Sequence, residues 1–388
     1  MSKLVKIEYI IFFLMAEPSI HDILSKNFSA ASKDEWIQAA KTEIPENISL
    51  ENLLWTVDGL VFSPYYMQED LKQTAYLQSF HHLSHRSLSH SWLNMPEIRV
   101  IEERTANEKS LRHLQGGADG IAFDITEIQN PDISKILKGV RWDYCPVAFK
   151  ISDANMVTKI FAYAEEKYEP AKLTGAFWWK QLPETDHLYA VAKQLLDKYK
   201  NYHLLGIEVP PSTAIKEISW ALLQGVKRVD EMTNLKIDCK AIFHSITLGM
   251  ACDENILVNI AKLKSMRMLW YQLSQVFEIS DYTPTDLQIR CRTRNEIDEK
   301  FEPHGNMISN TYQAMSAIVG GTNVITTNST KDEGNDMTDR VALNVSNVLK
   351  EESHFDKVAD PLAGSYVIEK MVDEFSQAAW ADFQKQLS

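Results

Sequence analysis

From Ile98 to Asn328, short apolar runs alternate with amphipathic stretches, and this alternation constrains the fold more than any other feature of the chain. The runs are IRVIE (98–102), GIAFDI (120–125), PVAFKI (146–151), TGAFWW (174–179), LLGIEV (204–209), CKAIFHSI (239–246), LQIRCRT (287–293) and NVITTN (323–328). Helical patterns over 107–114, 154–167, 187–199, 212–233, 254–277 and 307–319 separate most of them. Strands that alternate with helices pair in parallel, because each helix carries the chain back to the start of the next strand. An unbroken series of eight predicts an α/β fold, a (β/α)8 TIM barrel of about 250 residues or more. An open doubly wound sheet is the alternative. No GxGxxG opens any of these helices, so a dinucleotide fold has little support.

The N-terminal region reads differently. Residues 34–44 are helical, with Ser32 as N-cap. Leu60–Tyr66 is strand-like but contains Pro64, and Phe80–Trp92 is rich in histidine and serine. We expect an N-terminal extended arm and subunit-contact region over 1–95, followed by the barrel over 96–388.

The chain of 388 residues is long enough for one or two large cores. Its formal charge of −13 argues against a nucleic-acid partner, since phosphate binding needs a basic surface. The apolar run Tyr9–Ala16 is too short to span a membrane, and Glu8 interrupts its approach, so no membrane partner and a cytoplasmic location are expected. Met15 offers a second candidate start beside Met1. Cys145, Cys239, Cys252 and Cys291 have no CxxC spacing and read as free thiols.

Few motifs point to chemistry. His81 and His85 are four apart within a group that includes His82 and His90, but no HExxH is present and no carboxylate lies inside the cluster. We therefore expect no metal site. No GxSxG nucleophile elbow appears. Gly116-Gly117 and Gly320-Gly321 follow amphipathic helices, where glycine ends a helix more often than it cradles phosphate. Lys262, Lys264 and Arg267 lie off the apolar face of their helix and read as solvated.

Ligands of such barrels bind at the C-terminal strand ends. There the polar residues are Asp124, Lys150, Lys180, Glu208, His244, Arg290, Arg292, Arg294, Thr327 and Asn328. Arg290, Arg292 and Arg294 project to one face of a strand. That face suits either an anionic ligand or carboxylates across a subunit contact.

From about Asn107 to the C-terminus the chain resembles the barrel domain of the methylmalonyl-CoA mutase family. The anchors are GADGIAFDI (117–125), AIKEISWALLQGVKRV (214–229), AKLKSMRMLWYQL (261–273), AMSAIVGGT (314–322) and DPLAGSYVIE (360–369). The closing AAWADFQKQ (378–386) is more similar to the family's small subunits than to its catalytic ones.

The resemblance fails at the polar positions that do chemistry in that family. Its RTHxQTSG strand is RCRTRNE (290–296) here. GNMISNTY (305–312) keeps Asn306 but has Ser309 in place of an arginine, and GGTNVITTN (320–328) has Thr326 in place of a histidine. The family's active-site histidine aligns near Gly206, and its radical-steering tyrosine near Ile101. None of the eleven histidines has an aspartate two residues before it, so the Asp-x-His-x-x-Gly axial ligand of cobalamin is not supplied. The chain also stops before the family's cobalamin-binding domain would begin.

In the family the pantetheine arm threads the barrel axis. Here Phe177, Trp178 and Trp179 put at least one bulky ring inward. The resemblance thus implies a small, non-catalytic (beta) subunit with no catalytic or cofactor-binding residue of its own. Its partner would be a catalytic large subunit holding adenosylcobalamin and acyl-CoA. Arg290, Arg292, Arg294, Asn306, Thr327 and Asn328 remain possible ligand or interface contacts. Two alternatives stand beside it: a catalytic barrel working with a separate cobalamin-domain chain, and an acyl-CoA- or phosphate-binding module.

Overall fold

The computed structural model describes residues 31–45, 47–71, 91–180, 195–294, 303–329 and 336–387. The apolar run Tyr9–Ala16, the histidines at 81, 82, 85 and 90, and most of the helical pattern over 187–199 lie outside the described residues.

In the N-terminal part, helix α1 (Lys33–Glu43) begins where the cap signal places it. The Ser32 hydroxyl accepts from Glu35 N at 3.2 Å, and the Glu35 carboxylate accepts from Ser32 N at 2.7 Å. Trp36 stacks on Tyr65 with ring centroids 4.5 Å apart. A hairpin, β1 (Trp55–Val57) and β2 (Leu60–Phe62), turns through Asp58 and Gly59 at φ 51° and 81°, the left-handed pair that tight hairpins require.

The rest of the chain contains a nine-stranded, wholly parallel sheet. Its strands are β3 (Leu93–Asn94), β4 (Glu97–Arg99), β5 (Ile121–Asp124), β6 (Val147–Ile151), β7 (Gly175–Trp179), β8 (Tyr202–Glu208), β9 (Ile246–Cys252), β10 (Gln288–Thr293) and β11 (Val324–Thr326). β3 and β4 are two halves of one stave, interrupted at Met95-Pro96. β3 pairs with β11 and β4 with β5, so this stave joins the two ends of the sheet. Met95 N donates to Ile325 O, and Ala122 N to Pro96 O, each at 2.9 Å. The sheet therefore closes into the expected barrel of eight staves.

The first stave starts at Leu93, earlier than the run over 98–102 suggests. Pro96 hid it, because proline lacks the donor that a strand needs on both edges. A second correction concerns 239–246. Cys239–Ser245 is a helix, α6, because the Asp238 carboxylate accepts from Ala241 N at 2.9 Å and starts a turn. The strand is the following ITLGMAC, whose small and apolar residues are buried on both faces and carry no alternation.

The other helices are α2 (Glu103–Gln115), α3 (Ile133–Ile136), α4 (Asn155–Glu165), α5 (Ala214–Asn234), α7 (Ile256–Val276), α8 (Pro303–Val319), α9 (Asp336–Glu351) and α10 (Tyr366–Leu387). Gly117 and Gly321, just past α2 and α8, have φ of 99° and 90°, so both glycine pairs end helices. Where α3 is only one turn long, aromatic rings cover the outer face of the sheet. Trp142, Phe149, Phe161, Phe177 and Tyr202 form one contiguous cluster there.

Helix α7 revises the reading of its cations. Lys262 is 2% exposed and donates to Glu217 Oε2 and Ala251 O, each at 2.7 Å. Lys264 pairs with Asp360. Arg267 donates to the carbonyls of Pro284, Leu287 and Gly321, tying the entries of β10 and β11 together. A helix covered by α5 on one side and α10 on another has little solvent to offer them. The DPLAGSY segment is structural as well. Asp360 takes Lys264, Gly364 sits at φ 81°, and the buried Glu369 accepts from Gly364 N at 2.9 Å. None of the described helices is long and apolar enough to cross a membrane.

Candidate functional site: the barrel axis

Alternate residues of each strand face the axis. At the N-terminal end Met95, Ala122, Ala148 and Ala176 form a layer with Val324 beside it, and the Trp178 side chain packs onto them. Phe177 and Trp179 face away from the axis. Phe177 joins the outer aromatic cluster, and the Trp179 indole N–H donates to Leu204 O at 2.8 Å. Trp178 is therefore the bulky ring that enters the barrel, and it is 2% exposed.

Its place is made by a neighbouring strand. The β7–β8 register shifts between Ala176 and Trp178, and Trp178 lies opposite Gly206. A β-carbon at Gly206 would stand 2.2 Å from Phe177 O and 2.8 Å from Cε3 of the indole. The backbone groups of Leu204 in this irregular stretch are met by side chains: Ser245 Oγ accepts from Leu204 N at 3.0 Å, and Trp179 donates to its carbonyl. Such shifts re-aim a side chain while the rest of the ladder holds.

Above the indole lies a charged layer. The Arg290 guanidinium sits over the Trp178 ring, 4.8 Å from its centroid. Arg290 Nη2 is 2.6 Å from Glu97 Oε2 and 3.5 Å from Glu208 Oε1. Arg292 Nη2 is 2.7 Å from Glu208 Oε2, and its Nη1 is 3.5 Å from Glu97 Oε1. Lys150 pairs with Asp124 at 3.0 Å on the adjoining strands. Gly249 gives the Glu208 carboxylate room, since a β-carbon there would meet it at 3.0 Å. Burial alone would raise the Glu97 carboxyl, but Arg290, Arg292 and Lys150 outweigh it and hold it at about 2. Arg290, wholly buried, is held charged against its burial chiefly by Glu97 and Glu208.

The residues singled out from the sequence separate into groups. Arg290 and Arg292 come together inside the barrel, and the carboxylates they meet are the chain's own. Arg294 lies just past β10, 3.8 Å from Glu217 Oε1 and 4.0 Å from Asp253 Oδ2. Thr326 is inward and 1% exposed, and its hydroxyl donates to Met95 O at 2.7 Å, so it helps to close the barrel. Thr327 and Asn328 line a separate apolar pocket of about 180 Å³ with Met307, Met337 and Val341. Asn328 N also donates to Thr293 Oγ1 at 2.9 Å. Asn306 is buried on α8. Ser309 is on the same helix and donates to Glu254 at 3.1 Å. Ile101 follows β4 and is 74% exposed.

Glu97 was missed in the sequence because Pro96 obscured its strand. Gly249 was missed because its meaning depends on a carboxylate from the next strand. Among the described residues no group of three or more His, Cys, Asp or Glu side chains could hold a metal ion. The charged layer pairs its carboxylates with cations, but Arg290 Nε and Nη1 and Glu208 Oε1 are buried without a hydrogen-bond partner. No described group on the axis combines a nucleophile with an adjacent base.

A closed (β/α)8 barrel of this kind defines the class. Residues 202–386 match the family model described as methylmalonyl-CoA mutase. The small subunit of methylmalonyl-CoA mutase from Porphyromonas gingivalis is 25% identical over 93% of this chain and 63% of its own length. The small subunit from Streptomyces virginiae is 24% identical over 94% of this chain and 64% of its own. The large subunit from the same organism is 22% identical over 92% of this chain and 56% of its own. Among solved structures, a dihydropteroate synthase from Stenotrophomonas maltophilia aligns over 69% of this chain and 95% of its own, at 10% identity and a TM-score of 0.42. The family model covers a little under half of the chain, and subunits named methylmalonyl-CoA mutase align along most of it, so the chain is similar to that family. It spans less than two thirds of the length of those mutase subunits.

Proposed function

We propose that this chain is the small, non-catalytic subunit of an adenosylcobalamin-dependent methylmalonyl-CoA mutase. It pairs in the cytoplasm with a catalytic large subunit that carries the cofactor and the acyl-CoA and interconverts methylmalonyl-CoA and succinyl-CoA. The observation that supports this reading most is Trp178 in the barrel axis, where a threaded pantetheine arm would have to pass. Gly206, near which the family's histidine aligns, fits it, because a β-carbon there would stand 2.8 Å from the indole.

Adenosylcobalamin does not fit the residues present. The described part of the axis is filled by Trp178 and paired charge, and no histidine in the sequence stands in the Asp-x-His-x-x-Gly pattern. On the family resemblance we assign the cofactor to the large subunit, and no reaction step is drawn through the residues present. Its contribution is a stable surface for the large subunit.

The test is turnover with adenosylcobalamin and methylmalonyl-CoA. The isolated chain is expected to give none, and the chain mixed with its large subunit is expected to give full activity. Turnover by the isolated chain, or restored by a cobalamin-domain polypeptide alone, would establish the catalytic-barrel alternative instead.

A further inference from the structure

The seat of Trp178 is built largely from strand backbone and small side chains. Below the indole, Ala122, Ala148 and Ala176 offer methyl groups, Met95 and Val324 complete the layer, and beside it Gly206 offers no side chain. The alanines and Gly206 belong to hydrogen-bonded parallel strands paired on both edges, so those walls cannot swing inward. Above the ring, the Arg290 guanidinium is tethered by Glu97 at 2.6 Å and Glu208 at 3.5 Å, so it cannot descend without losing buried ion pairs.

Trp270 is the useful contrast. It is equally buried, but it projects from helix α7 onto Gly225 of helix α5 and the rings of Phe243 and Tyr282, so its walls are helices and side chains, not paired strands. How far a site collapses decides what is left when a large side chain is removed.

We propose that the barrel axis is a preformed seat for one planar, uncharged aromatic ring, which the chain fills with its own Trp178. Removing that side chain exposes a binding site for a free ligand of the indole class. The ring's face would meet the Arg290 guanidinium, and its edges would meet the alanine layer and Gly206. This deepens the reading above and rests on its closed axis. It names Trp178 as the residue that decides whether the axis takes a ligand.

The experiment uses the full chain, with W178A and W270A as variants and indole as the probe. W178A is expected to melt lower than the parent and to recover by about 2 °C or more in millimolar indole, with saturation. The parent and W270A are expected to show no such rise. No response of W178A, or an equal response of W270A, would overturn the proposal. Should W178A be recovered unfolded, it is refolded with and without indole. Folded protein obtained only with indole supports the seat, and none in either case contradicts it. These outcomes are independent of the turnover assay, so the seat and the subunit assignment fail separately.

Discussion

Gly206 and Trp178 face each other on adjoining strands and share one volume: a β-carbon at 206 would lie 2.8 Å from the indole and 2.2 Å from a backbone oxygen. The oxygen is the harder obstacle, because it belongs to the ladder. We predict that G206A is destabilised by about 1–3 kcal/mol, the usual range for overpacking a rigid interior. Urea denaturation measures it. A variant as stable as the parent would mean that the strands yield more easily than their pairing implies.

The Glu97–Arg290 pair is the second target. Removing one partner leaves the other charge buried, which costs about 3–5 kcal/mol. E97L and R290M are each expected to lose that much, whereas the two combined are expected to recover most of it. Unfolding of the two singles and the double closes the cycle. A double variant as unstable as the sum of the singles would show that the pair is not an isolated unit.

Much of the barrel is legible in the sequence, because α/β alternation survives in single residues. The rest is hidden where a local signal runs against its surroundings. Pro96 splits the first stave, Asp238 starts a helix inside an apolar run, and ITLGMAC has no polar face to mark it. The three arginines on one strand were readable as a face, but not their partners. Glu97 and Glu208 come from staves two away from β10 on either side, so they reach the arginines across the interior. The cations of α7 read as solvated because the groups that meet them lie elsewhere along the chain: Glu217 and the Ala251 carbonyl, Asp360, and the carbonyls of Pro284, Leu287 and Gly321.

Acid should weaken the fold in two stages. Burial lowers His203 and His113 to about 4, below their unfolded value of 6.5. A depressed folded pKa gives stability that is present above 6.5 and lost as pH falls toward 4. Glu97, held at about 2 against a usual 4.5, adds a loss between those values. The melting temperature is expected to fall from pH 7 to pH 4 and more steeply below. His203 Nδ1 donates to His244 O at 3.0 Å, a bond that H203N can imitate without titrating. That variant should show a shallower fall between pH 6.5 and 4. An unchanged slope would remove His203 from the account.

Lys262 and Glu217 form a buried pair between α7 and α5, with side chains 2% and 1% exposed. K262M keeps the stem and leaves Glu217 without this cation. A loss of about 3–5 kcal/mol is expected. Restoration by the double change K262M with E217Q, measured by thermal unfolding, would identify the unpaired carboxylate as the cause. No gain from the second change would place the loss in packing.

Calorimetric titration of methylmalonyl-CoA into the isolated chain addresses the closed axis most directly. The account predicts no saturable heat at concentrations that saturate the mixture with the large subunit. One-site binding to the isolated chain, with pantetheine located beside Trp178 in a crystal structure, would contradict it.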